Sequence, residues 1–232
     1  MSHHRITRPM PLAALGLTLL LCAAGAAAHD ISDANRAFVE TITGPAPIPF
    51  LYLGAKHMVT GIDHILFLLG VVFFLRRLKD VVLYVSMFTI GHSATLLGGV
   101  LLGTGLNSSL VDAVIGLSVV YKAAENLGAL KRIGLAIDTR VAVLVFGLFH
   151  GMGLATKLMS LQVSHNGLLT NLISFNIGVE LGQVIVLTAV VFLLAQWRDT
   201  KSFARGATYA NLLLLAAGMA LTLYHLTGYF SA

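Results

Sequence analysis

Residues 168–197 read LLTNLISFNIGVELGQVIVLTAVVFLLAQW, a run with one formally charged side chain, Glu180. A helix rises ~1.5 Å per residue, so this run crosses a hydrocarbon core of ~30 Å with length to spare. Working outward, five more stretches have the same apolar character, at about 50–75, 81–103, 108–130, 140–160 and 207–228. The composition agrees: 57% of the 232 residues are hydrophobic and 11% charged, where a soluble domain carries roughly 25% charged residues. The expectation is an all-α polytopic membrane bundle of six transmembrane helices, with membrane lipid as its surroundings.

A formal charge of +5 does not point to nucleic acid, because the basic residues sit in short loops between apolar runs and not on one soluble face. Arg76, Arg77 and Lys79 follow the first span; Lys131, Arg132 and Arg140 follow the third; Arg198, Lys201 and Arg205 follow the fifth. The loops at 104–107 and 161–167 carry neither Lys nor Arg. Positive loops stay in the cytoplasm, so both mature termini are expected on the exported side; the expected location is a bacterial cytoplasmic (inner) membrane.

The first 28 residues have the pattern of a cleaved signal peptide: Arg5 and Arg8, an apolar stretch over 12–24, then Ala26-Ala27-Ala28. Cleavage there leaves His29 first, and its amine and imidazole together form a candidate chelate. Residues 29–49, ending in Gly44-Pro45-Ala46-Pro47-Ile48-Pro49, read as an extended exported lead-in, and 50–232 as the six-helix transmembrane domain. The one cysteine, Cys22, falls in the signal segment, so disulfides, thiolate metal sites and cysteine catalysis drop out. All five prolines precede the first full span, so any break inside the bundle must come from glycine. Gly99/Gly103, Gly147/Gly151 and Gly178/Gly182 have the four-residue spacing that lets membrane helices approach closely. His64 against His150, and Phe88-Thr-Ile-Gly91 against Phe175-Asn-Ile-Gly178, hint at a 3+3 inverted repeat.

Ionisable groups at mid-bilayer cost at least ~2.5–3.5 kcal/mol and mark functional candidates. His64, His92, His150 and Glu180 fall at one depth on four spans. Asp63 and His64, ~100° apart on a continuous helix, divide between ligation and support, and His57 shares a face with His64. Asn176, Glu180 and Gln183 form a stripe at i, i+4, i+7, with Asn176 and Gln183 read as support and Ser93 as a pathway hydroxyl. Lys122, Glu125 and Asn126 form another stripe, in which Lys122 and Glu125 read equally well as an ion pair. His150 reads as a ligand or a packed core residue, His225 as interfacial and His165 as solvated. Imidazole and carboxylate without thiol suit a divalent first-row ion, so the metal candidates are His57, Asp63, His64, His92, His150 and Glu180.

The stretches His57-Met-Val-Thr-Gly-Ile-Asp63-His64, Phe88-Thr-Ile-Gly-His92-Ser, Ala124-Glu125-Asn126, Phe146-Gly-Leu-Phe-His150-Gly and Phe175-Asn-Ile-Gly-Val-Glu180-Leu-Gly-Gln183 resemble the HupE/UreJ family of membrane proteins. The first two are also similar to the histidine-aspartate-histidine and glycine-histidine-serine signatures of nickel/cobalt permeases. The resemblance implies secondary transport of nickel or cobalt, uptake rather than export, metal recognition by His57, Asp63, His64 and His92, no enzymatic activity, no prosthetic group, and a functional link to hydrogenase or urease maturation. The rival classes are a rhomboid-type serine hydrolase with Ser93 as nucleophile, a non-transporting metalloenzyme assembly factor, and a bis-histidine haem protein.

Overall fold

The computed structural model describes residues 33–135, 137–161 and 164–231. The expected signal segment and His29 lie outside these residues. The described residues form helices and no strand: α1 (Asp33–Glu40), α2 (Pro47–Thr60), α3 (Ile62–Val72), α4 (Leu78–Leu102), α5 (Ser108–Asn126), α6 (Ala129–Arg132), α7 (Thr139–Met159), α8 (Leu168–Arg198) and α9 (Phe203–Phe230).

Four of these, α4, α7, α8 and α9, are each long and apolar enough to cross a membrane. The expected first span is not one straight helix. It is α2 and α3 joined at Gly61 with a 64° bend, and the pair counts as a fifth span if taken together. The third expected span, α5, carries Asp112, Lys122 and Glu125 within 19 residues, too many charges to qualify on the same ground. It ends at Asn126, four residues short of the expected end, where Gly128 adopts a left-handed φ of 74° and the short α6 follows. The lead-in is not wholly extended either, since Asp33–Glu40 is helical. Its later part is tied to the start of α8 by Asn171, which accepts from the Ala46 amide (2.7 Å) and donates to the Gly44 carbonyl (3.2 Å).

Gly61 breaks the first span by interrupting the backbone ladder. Its own N–H still reaches the His57 carbonyl (2.8 Å), and the Ile65 N–H reaches the Gly61 carbonyl (3.1 Å). Between them the His64 N–H is taken by Asp63 Oδ1 (2.8 Å). A side chain supplies the bond that a continuous helix would have supplied, so the bend leaves this buried donor satisfied.

Three helix pairs dominate the packing: α2 with α8, α4 with α7, and α5 with α9. In the first two, glycines bring backbones into contact. Gly54 lies against the Phe175 carbonyl, Gly178 against that of Leu51 and Gly182 against that of Ala55. Gly91 lies against the Leu144 carbonyl, Gly147 against that of Phe88 and Gly151 against that of His92. Two of the three expected glycine pairs therefore pack as their spacing implies. In the third, Gly99 meets Ala155, but Gly103 meets nothing within 4 Å and instead ends α4 at a φ of 65°.

At one end of the bundle lie the segments that carry the basic residues, 73–77, 127–138 and 199–202; this is the basic end. There, Arg198 at the close of α8 donates to the carbonyls of Leu75 (2.7 Å), Val72 (2.7 Å) and Phe73 (2.6 Å). A guanidinium thus caps the carbonyl end of α3. In the sequence Arg198 shows only as a loop charge; the fold gives it this capping role as well.

Candidate metal centre

His57 lies ten residues into α2, His92 ten residues short of the end of α4 and His150 nine short of the end of α7. Each is about 14–15 Å of helical rise from the end remote from the basic loops. The bend at Gly61 brings His64, the third residue of α3, to the same level. Ring centroids lie 5.0 Å apart for His57–His64, 6.0 Å for His64–His92 and 4.7 Å for His64–His150.

One ligand atom from each of His57, His64 and His92 falls within 4.8 Å of the other two, and the same holds for Asp63, His64 and His150. Metal–nitrogen bonds of ~2.0–2.1 Å put two ligands of one ion at most ~4.2 Å apart. The imidazoles stand close to ligating distance. His64, His92 and His150 are buried, and His92 has no exposed surface. His57 Nε2 and His64 Nε2 are buried with no protein hydrogen-bond partner among the described residues; both ring nitrogens of His92 are buried too, with no well-formed hydrogen bond there beyond an interaction with the Asn176 side chain.

Asp63 supports this set. Its Oδ1 accepts from the His64 backbone N–H and from His64 Nδ1, each at 2.8 Å. With the proton held on Nδ1, the Nε2 lone pair is left to bind, the arrangement by which carboxylates orient metal-ligating histidines. The two residues occupy successive positions of α3, ~100° apart, and at the start of this helix the carboxylate folds back onto its neighbour.

Apolar side chains close the site on both sides. One turn toward the basic end from His64, His92 and His150 lie Phe67, Phe88 and Phe146. Phe88 stacks near-parallel on His92 (6.1 Å, 24°) and meets His150 edge-on at 5.0 Å. Phe67 lies 5.6 Å from both Phe88 and His150, and 5.7 Å from Phe146. One turn the other way from His57, His92, His150 and Asn176 stand Leu53, Leu96, Leu154 and Leu172, all buried. Leu172 of this layer, with Phe50, Leu158 and His165, lines a cavity of about 290 Å³, so His165 borders a pocket.

The remaining sequence candidates are placed elsewhere. Glu180 is not brought to the histidines: it is exposed, lining a larger cavity between α4 and α8. The reason is angular. At ~100° per residue Glu180 stands ~60° around α8 from Gln183, which points inward and is 1% exposed. Asn176 accepts from Ser93 Oγ (3.0 Å) and Gln183 Oε1 from Thr89 Oγ1 (3.0 Å), so both tie α8 to α4. Ser93 donates to an amide and not to His92 or His150, which lacks the nucleophile–base contact of a serine hydrolase. Glu125 is held by Lys122 Nζ and Thr139 Oγ1, both at 2.6 Å, and Asn126 donates to the Gly70 carbonyl and to Asn211, both at 2.9 Å. Neither reaches the histidines.

The sequence reading missed one buried ion pair. Lys157 Nζ meets Asp112 Oδ2 at 2.8 Å, and His225 Nδ1 lies 3.9 Å from the same oxygen. His225 thus faces a carboxylate inside the bundle. Asp112 lies four residues from the start of α5 and Lys157 two from the end of α7. Opposite charges at matching depth in neighbouring spans were the available signal.

The family model for HupE / UreJ proteins matches residues 33–232. The chain belongs to the HupE/UreJ family. No curated protein and no solved structure matches it. HupE/UreJ membership, with the apolar helices, makes this a multi-pass membrane protein of metal transport-related function.

Proposed function

We propose that this chain is a secondary transporter, a permease, for a divalent transition metal ion, nickel or cobalt, with uptake as its direction and the His57–His64–His92 cluster as its binding site. The observation that carries this reading is the set of buried imidazole nitrogens without protein partners. Buried polar atoms are almost always hydrogen-bonded, and histidines kept for packing would satisfy theirs. Neutral nitrogen ligands suit nickel and cobalt, and Asp63 supplies negative charge beside them. His150 stands at the edge of the set as a further ligand.

In this reading α2 and α3 form one bent span and α5 is the sixth crossing, its charges neutralised within the bundle by the Lys122–Glu125 and Asp112–Lys157 pairs. The basic end faces the cytoplasm, the signal segment is removed, and both mature termini are exported. The glycine contacts support an inverted repeat in a different register from the one the sequence suggests. Leu51, Gly54 and His57 of α2 repeat as Leu144, Gly147 and His150 of α7, while Phe88 and Gly91 of α4 repeat as Phe175 and Gly178 of α8. His57, not His64, is then the counterpart of His150, and the α2–α8 and α4–α7 pairs exchange.

The test is labelled-nickel uptake by cells with and without the protein, at matched membrane levels. His57→Ala, His64→Ala and His92→Ala each abolish uptake, and Ser93→Ala reduces it modestly. Normal uptake in the histidine variants would return these residues to packing.

A further inference from the structure

The seam between α4 and α8 differs from the glycine-packed interfaces. It is joined by the Ser93–Asn176 and Thr89–Gln183 hydrogen bonds. From there toward the basic end the helices part, leaving a cavity of about 900 Å³ with Thr89, Ser93, Glu180 and Gln183 at its head and aliphatic walls such as Val85 and Leu187. Gln183 lines this cavity while 1% exposed, and its Nε2 has no hydrogen-bond partner among the described residues. Glu180 opens into the same space.

If lipid tails filled the crevice, the Glu180 carboxylate and the Gln183 Nε2 would face hydrocarbon near mid-membrane with nothing there to bond. Water would satisfy both. His92 stands next to Ser93 in the chain, so the seam separates the buried imidazoles from the head of the crevice. The oxygen donors there differ in kind from the imidazoles. The amide of Gln183 can reverse, since the Thr89 hydroxyl accepts as readily as it donates, and its oxygen then joins the Glu180 carboxylate and the Ser93 hydroxyl. Such oxygen ligands hold nickel-type ions less tightly than imidazole does.

We propose that Glu180, with Gln183 and Ser93, is a second, weaker cation station, and that the α4–α8 crevice is the water-filled route between it and the basic end of the protein. This rests on the permease reading and adds to it a station distinct from the histidine site.

The experiment uses the full chain with Cys22→Ser, so that Ser86→Cys on the crevice wall is the one thiol. A charged methanethiosulfonate should label it in native membranes, whereas labelling by a lipophilic maleimide alone would show a lipid-filled crevice and overturn the route. In parallel, Glu180→Gln should slow nickel flux roughly tenfold while nickel binding to purified protein stays within about twofold, and Glu180→Asp should restore part of the flux. A binding loss equal to that of His92→Ala would make Glu180 part of the histidine site and overturn the second station, as would unchanged flux. Absence of nickel binding by the unsubstituted chain would overturn the permease reading itself, an outcome separable from these because it needs no variant.

Discussion

Gly61→Ala tests the bend with the smallest available change. The glycine has φ −72° and ψ 99°, which alanine adopts without strain, so the effect comes from space alone. A Cβ there would stand 2.9 Å from the His57 carbonyl, 2.9 Å from His64 Nδ1 and 3.2 Å from Asp63 Oδ1. None of these is the free end of a flexible chain: one is backbone, and the other two are the partners of the 2.8 Å hydrogen bond that orients His64. Relief therefore requires His64 to move or the bend to change. Overpacking of this kind costs about 1–3 kcal/mol, and if it falls on the bound geometry it lowers metal affinity roughly 5- to 150-fold. The assay is nickel titration of purified protein, with Gly98→Ala as the control, since a Cβ at Gly98 meets nothing within 4 Å. Wild-type affinity in Gly61→Ala, with Gly98→Ala also unchanged, would show that the Asp63–His64 pair does not govern the site.

Asp63→Asn leaves a side chain of the same shape but removes the charge that fixes His64 Nδ1 as a donor, so nickel affinity should fall ~10–100-fold by the same titration; unchanged affinity would leave Asp63 with the helix start alone. Arg198→Lys loses the fork that reaches three carbonyls, and with charged hydrogen bonds worth ~1.5–3 kcal/mol each the thermal midpoint of the purified protein should drop; an unchanged midpoint would make the cap incidental.

The common depth of His92 and His150 was legible because it needs only straight helices and a residue count; His64 reaches that level through the bend at Gly61, and His57, which the sequence shows only as sharing a face with His64, lies there too. The break at Gly61 was not legible, because mean hydropathy runs through a single glycine. Only the absence of proline pointed to glycine as the breaker. Asp63 and His64 still stand ~100° apart on α3, but the break leaves the His64 N–H without a carbonyl partner in the first turn, and the Asp63 carboxylate bends back to it. Glu180 was misplaced for a different reason: Asn176, Glu180 and Gln183 share a stripe, but a stripe has edges, and the residue ~60° from its inward-facing member opens to the surface. Lys122 with Glu125 was legible from i, i+3 spacing. Asp112 with Lys157 was harder to see, because the pair forms between spans and shows in the sequence only as opposite charges at matching depth near two helix ends.

The bend also sets the electrostatics of the site. The carbonyl end of α2 and the amide end of α3 meet inside the bundle, where a continuous helix would show neither. The carbonyl end bears a partial negative charge of ~0.5 e and favours a cation beside His57, which sits in its last turn. The amide end opposes a cation, and Asp63 in its first turn offsets it. The leucine layer on one side and the phenylalanine layer on the other keep water out, so ligand contacts act at low dielectric, where they are strong. The same enclosure means that no ion enters or leaves without movement. The glycine contacts make α2–α8 and α4–α7 two tightly packed pairs, whereas α4 and α8 are joined through Ser93–Asn176 and Thr89–Gln183. His57 rides on one pair and His92 and His150 on the other, so displacing the pairs against each other parts the imidazoles and breaks two side-chain hydrogen bonds while both glycine interfaces stay intact.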